Sequence, residues 1–472
     1  MKKIIFKITL LTLIVGSFTA CDSELDQVPF DEFGTENAYV TAQDFENAIR
    51  GVYSTLTAGP LYGGSDSGGM YDAPDILADN VTSSTGGRFT RRALHNWTYG
   101  PADDPMLGLY NAAYVLIYRS NLLLSNIEDF RGESKDNIVG EAKALRAMAH
   151  LHVATFFAKI PTQSSDANGS LGIPIVTEPD ANATPSRATV GETYQFIASE
   201  LAEAANLINE TNPVGRLNKD GVNLLLSRVY LYMGEWQKAI DAANLVTKPV
   251  APRSSVVGVW EDTNQDGLLF YIPNETGVLG INVGVTWSQG SPNQLRPEYV
   301  VSYELYNLFD DDDIRKEAYT FQGNGYNAIK KLFGRPGQSN GQVDLKILRA
   351  AEAHLNKAEA LYNLGREADA LAALDVVRTN RYTTPPSGET GTALRDAIRL
   401  ERRLEFAFES QRFFDLKRWG LGISRDGMGD NSDGSGQASE SQNLSSSSHR
   451  LQLPISQRAR DRNPNLEQNP DY

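Results

Sequence analysis

The chain has 472 residues, 41% of them hydrophobic, which is enough apolar material for a large core. Its 59 acidic residues outnumber 44 lysines and arginines, and the formal charge of −15 argues against nucleic acid or an anionic lipid surface as partner while leaving a neutral ligand open. A single cysteine excludes an internal disulfide, and the five histidines form no HExxH pattern, so the composition offers no zinc site.

Residues 1–20 read as a secretory signal peptide. Lys2, Lys3 and Lys7 give the positive start, residues 8–15 form a short, mostly apolar run, and Gly16 and Ser17 close it. That run is too short to span a bilayer comfortably, and the sequence after it is polar. Cleavage after Ala20 would expose Cys21, and Phe18-Thr19-Ala20-Cys21 looks like a bacterial lipobox. Acylation of Cys21 would anchor residues 21–472 to a membrane, stably if more than one chain is attached.

Helical periodicity dominates the remainder of the chain. Residues 45–56 predict a first helix that ends near Gly59-Pro60. Residues 107–127 and 139–159 predict an antiparallel pair closed by Pro161, and residues 190–208 and 222–246 predict a second pair. In residues 231–239 (LYMGEWQKA) Gly234 stands five positions before Ala239, and residues 361–370 (LYNLGREADA) repeat this with Gly365 and Ala370. Small residues there let two helices meet closely at a tight turn, the packing need of tetratricopeptide repeats. The expectation is a mainly α fold, with tetratricopeptide-like helix pairs over about 107–246 and 344–419 forming a curved scaffold.

Two stretches differ in character. Residues 61–105 carry three Gly-Gly pairs, and residues 249–296 are rich in Gly, Pro, Asn, Trp and β-branched residues. Short strands and long loops are expected there, making an irregular, ligand-facing subdomain. Residues 424–448, rich in Gly, Ser and Asp, are expected to form a mobile surface loop.

Four stretches resemble the SusD/RagB family. Residues 171–176 (LGIPIV) and 185–190 (PSRATV) lead into a helix as that family's loop-to-helix passage does, and Tyr303-Glu304-Leu305 with Asp313-Ile314-Arg315 is similar to its mid-chain element. Residues 401–409 (ERRLEFAFE) with 412–419 (RFFDLKRW) match its most specific signature, and residues 453–455 (LPI) and 463–472 (NPNLEQNPDY) match its C-terminus. The resemblance implies a lipoprotein of the cell outer membrane facing the extracellular side. It would bind an oligosaccharide, or less often a peptide, for a SusC-like TonB-dependent transporter. It also implies that Asp22, Glu24 and Asp26 behind Cys21 act as a surface-export signal.

Two rival functions are a surface glycoside hydrolase and a tetratricopeptide-type protein scaffold. A hydrolase needs paired carboxylates, and Glu401, Glu405 and Glu409 share one helix face with Asp415 close behind. Arg402, Arg403, Arg412 and Arg418 are interleaved with them, however, and arginine depresses a carboxylate pKa where a general acid needs it raised, so structural salt bridging is expected. Asp262, Asn264, Asp266 and Gly267 match the first half of a calcium loop, but Pro273 stands where the bidentate glutamate belongs; a calcium site and a polar turn both remain open. No other cofactor is expected.

A sugar site needs flat apolar faces and planar polar groups. Trp236, in a repeat, and Trp419, in the C-terminal signature, are expected in the core. Trp97, Trp260 and Trp287 lie in the loop-rich stretches. Trp97 with Arg88, Asn96, Tyr99 and nearby His95 makes the first candidate stacking platform, with Trp287 as the second candidate residue.

Overall fold

The structure, a computed structural model, describes residues 38–472 apart from 64–68, 89, 104–105, 129, 276 and 288–294. The signal segment and the Cys21 lipidation site lie outside the described residues.

The long helices begin and end where local chemistry tells them to. Helix α1 (Ala42–Ser54) starts at a capping box in which the Thr41 hydroxyl accepts from the Asp44 N–H and the Asp44 carboxylate accepts from the Thr41 N–H. Helices α2 (Leu107–Asn126) and α3 (Lys135–Phe157) form the first expected pair. Thr189 and Glu192 make a second capping box at α4 (Val190–Leu207). The Asn218 side chain caps α5 (Lys219–Met233).

Residues 222–246, one arm of the expected second pair, divide at the turn expected at Gly234. Gly234 adopts a left-handed φ of 74°, ends α5, and lets α6 (Trp236–Asn244) fold back on it. The same turn recurs at Gly365, φ 73°, between α7 (Ala350–Asn363) and α8 (Glu367–Arg378). In each turn the residue after the glycine reaches back to the helix, Glu235 N–H to Tyr230 O and Arg366 N–H to Leu361 O, both at 2.9 Å. Any residue with a Cβ would pay about 1 kcal/mol at these two φ values. Ala239 and Ala370, both fully buried, are the small residues that let the two arms close.

Neighbours in sequence are neighbours in space: α2 packs on α3, α3 on α4, α4 on α5, α5 on α6 and α7 on α8. Helix α7 also packs on α6, on α5 and on α9 (Gly391–Glu405), which is followed by the short α10 (Arg412–Arg418). The fold is thus mainly α with a tetratricopeptide-like arrangement of helix pairs. Strands among the described residues are short and form two-stranded antiparallel pairs: Val81–Ser83 with Tyr299–Val301, Leu268–Ile272 with Leu345–Arg349, Thr320–Gly323 with Tyr326–Ile329, and Ile423–Ser424 with Asn443–Leu444.

The loop-rich stretches share the helices' apolar interior. Leu61, Trp97, Trp260, Phe270 and Trp287 belong to the same continuous buried cluster as the core residues of α3 and α7. Residues 424–448 are also pinned down, unlike the loop expected from their composition. Asp430 is buried and accepts from the Thr85 and Gln437 N–H groups, and Glu440 takes hydrogen bonds from Arg92 and Asn96.

Candidate functional site

The platform suggested by Trp97 is internal. Trp97 is 4% exposed, its indole N–H donates to Leu77 O at 2.9 Å, and the Arg425 guanidinium lies 4.2 Å from its ring centroid. Tyr99 is buried with its hydroxyl donating to Arg450 O at 2.6 Å. Trp287 is fully buried between Tyr299 and Phe408. A ring without an open face cannot stack on a sugar, so these three aromatics are corrected from ligand contacts to core. The polar neighbours are engaged as well: Arg88, although 53% exposed, pairs with Glu298 at 2.9 Å, and Asn96 donates to Glu440. The physical reason is that a stretch with little regular structure gains its order by burying large rings, since each removes apolar area that no helix face there can supply.

The calcium reading is corrected too. Asp262 Oδ1 takes Lys346 Nζ at 2.5 Å, and its Oδ2 takes Arg335 at 2.9 Å and the Asp344 N–H at 2.9 Å. With two cations on it, this carboxylate has no charge left for a third. Asn264 turns its amide to Ser255 O and accepts from the Asp266 N–H, which closes a polar turn. Among the described residues no three His, Cys, Asp or Glu side chains cluster as metal ligands.

The Glu401–Glu405–Glu409 face is buried and salt-bridged, with partners from elsewhere in the chain rather than the interleaved arginines. Arg315 reaches Glu401 at 2.6 Å, and Glu405 receives Arg349 at 2.7 Å and Arg381 at 2.8 Å. Glu409 binds Lys331 at 2.5 Å and Arg349 at 2.6 Å. Burial would raise the Glu405 carboxyl, but Arg381, Arg349 and Arg315 outweigh it and hold it well below the usual carboxylate range. That is the opposite of a general acid's requirement. The interleaved cations serve the fold: Arg402 and Arg418 share Asp415, Arg412 holds Asp79, and Lys417 donates to Thr155 O and Ala158 O at the C-terminus of α3.

An open cleft lies elsewhere, where several helices end together. It encloses about 430 Å³, within the usual range for small-ligand sites, and is walled by Trp236, Tyr362, Trp419 and Arg399. Trp236 opens α6, Tyr362 stands in the last turn of α7, and Trp419 caps α10. All three rings are only half-buried. Each sits within three residues of a left-handed glycine, Gly234, Gly365 or Gly420, because a chain reversing at a helix end leaves the flanking side chain without a neighbour to cover it. Trp419 is fixed rather than loose. Its indole N–H donates to Glu359 Oε1 at 2.7 Å, and the Arg399 and Arg418 guanidiniums each lie 4.8 Å from its ring centroid.

The polar groups around these rings divide into engaged and free. Glu359 is saturated by Arg418 and Trp419. Arg399, on the cleft face of α9, makes no hydrogen bond or ion pair among the described residues. The same holds for the hydroxyls of Tyr362, Thr162 and Ser165 along the wall. Chemically the cleft offers aromatic faces, hydroxyls and a planar cation, a recognition set rather than a proton-transfer set. The sequence reading missed it by assigning Trp236 and Trp419 to the core. Their closeness to turn glycines was the available signal.

Two family profiles match this chain: one described as "Starch-binding associating with outer membrane" over residues 37–231, and one described as "SusD family" over residues 281–472. The chain belongs to the SusD/RagB family. Among relatives, SusD-like protein P2 of Formosa agariphila is 25% identical, the match covering 89% of this chain and 92% of that protein. A SusD-like protein of Bacteroides ovatus is 21% identical over 85% of this chain and 80% of its own length. Among solved structures, a SusD superfamily protein of Bacteroides thetaiotaomicron superposes with a TM-score of 0.79 at 26% identity, covering 91% of this chain and 100% of that one. The surface glycan-binding protein A of Bacteroides uniformis shares the fold, with a TM-score of 0.71 at 19% identity over 91% of this chain and 99% of its own. The family is one of starch- and glycan-binding proteins associated with the outer membrane. Among the described residues no helix is long and apolar enough to cross a membrane.

Proposed function

We propose that this SusD-family protein is a surface lipoprotein, anchored through Cys21, that captures an oligosaccharide and passes it to a SusC-like TonB-dependent transporter without altering it. The observation that carries the reading is the cleft of Trp236, Tyr362 and Trp419, in which half-buried rings stand beside polar groups that the protein leaves unpaired. Sugar C–H faces gain from such rings, and hydroxyls and planar donors fix orientation. Capture without chemistry is supported by the cation pairing of the Glu401–Glu409 face, in which the arginines hold the Glu405 carboxyl well below the usual carboxylate range, the opposite of an acid catalyst's need.

The test uses the chain from residue 21 onward with Cys21→Ala, applied to an array of neutral and acidic oligosaccharides. Binding with every bound oligosaccharide recovered intact is the expected result; hydrolysis of any of them, or no binding to the array, overturns the reading. In cells the same substitution should shift the protein from the membrane to the soluble fraction and abolish incorporation of a fatty-acid probe. A variant that still takes up label would place the anchor elsewhere.

A further inference from the structure

Beyond the family's role, the cleft carries an electrostatic signature of its own. The chain as a whole is strongly acidic, with a net charge of −15. Yet the charges on this wall are Arg395, Arg399, Arg418 and Glu359. Glu359 and Arg418 neutralise one another through paired hydrogen bonds. Arg395, one helical turn before Arg399, bonds only the neighbouring Asp396 at 2.9 Å, out at the exposed rim. What remains at the centre is the Arg399 guanidinium beside the Trp419 ring, half-buried and without a salt-bridge or hydrogen-bond partner among the described residues.

A cation held partly out of water without a partner is unfavourable unless a ligand supplies the anion. Burial indeed pulls Arg399 below its ordinary value, with Arg395 and Arg418 adding repulsion and the more distant charges of Glu359 and Asp396 only partly offsetting them. A guanidinium also presents its donors as a planar fork, the shape that matches two oxygens of a carboxylate or sulfate rather than one hydroxyl. The aromatic walls meanwhile require that the anion be attached to something with flat apolar faces.

We infer that the saccharide taken by this cleft carries an anionic substituent, a carboxylate or a sulfate, which Arg399 holds while Trp419 and its neighbours receive the sugar ring. The inference rests on the cleft being the saccharide site. Because the whole chain is acidic, selectivity for the anion arises at contact range and not from long-range attraction.

The experiment titrates the chain from residue 21 onward, carrying Cys21→Ala, with an oligogalacturonate, a sulfated oligosaccharide and a neutral malto-oligosaccharide, reading tryptophan fluorescence and calorimetry. Wild type should prefer one of the acidic ligands over the neutral one, and which of the two it prefers identifies the anion. Arg399→Gln should cut that preference by roughly tenfold or more, the usual weight of a charged hydrogen bond, while Arg399→Lys should restore it only in part because the fork is lost. Thermal midpoints of both variants should stay near that of wild type, since Arg399 makes no hydrogen bond in the fold. Equal affinity for neutral and acidic oligomers, or a preference that survives Arg399→Gln, overturns the inference and leaves glycan capture standing. Failure to bind any saccharide, or an Arg399-dependent affinity for an acidic peptide alone, overturns both.

Discussion

Around Trp97 and Trp287 every ring is covered from within, whereas around Trp236 and Trp419 the rings are half open. Both regions hold tryptophan, tyrosine and arginine. In the first, Arg425 lies over Trp97 while donating to Ala78 O and Ile76 O, and Arg88 pairs with Glu298, so the protein supplies the partners of these two arginines itself. In the second, Arg399 lies beside Trp419 with its donors unspent. The difference teaches that a binding set is recognised less by its residue types than by what its surroundings fail to satisfy.

The largest effect should come from the closed region. Trp287→Ala removes a fully buried ring from between Tyr299 and Phe408 and should cost on the order of 4 kcal/mol, seen as a collapse of the thermal midpoint. A midpoint close to wild type would mean that this ring is open and would return it to the candidate ligand contacts.

Close behind is Glu405→Ala, which leaves buried Arg381 without its carboxylate, takes one carboxylate from each of Arg315 and Arg349, and should cost about 3 kcal/mol. The same network predicts acid lability. Because the folded Glu405 carboxyl lies well below its unfolded value, the unfolded chain takes up the proton first; the stabilisation is fully present above about pH 4.5 and is lost as pH falls below it. Urea melts between pH 3 and 7 should show wild-type stability falling through the acid end of that range, and the Glu405→Ala loss shrinking with it. A loss that is constant with pH would contradict the ion-pair account.

In the open region the expectation is reversed, with a smaller effect that falls on the ligand. Trp419→Ala should weaken saccharide binding by about thirtyfold, roughly 2 kcal/mol, the typical toll of a central stacking residue. Its thermal midpoint should drop much less than that of Trp287→Ala, because Trp419 is half exposed and gives up one hydrogen bond, to Glu359. Calorimetry showing unchanged affinity would remove the cleft as the site and leave the two regions functionally alike.

Local order is what the sequence determined by itself. The helix pairs, the twin turns at Gly234 and Gly365, and the caps at Thr41, Thr189 and Asn218 depend on interactions within a few residues, and such interactions can be read along the chain. The family likeness was legible for the same reason, being carried by short contiguous stretches such as residues 401–409 and 412–419. The tertiary structure alone decided which partners those residues meet. Arg315 finds Glu405 across 90 positions and Arg349 finds it across 56, so the local interleaving of arginine with glutamate misidentified the pairs. It also decided which tryptophans face outward. That outcome depends on whether a distant segment covers the ring: residues near 299 and 408 close over Trp287, while Trp419 at the end of α10 stays partly exposed in the cleft wall. Burial is a property of the assembled surface, and no period or composition of a single stretch encodes it.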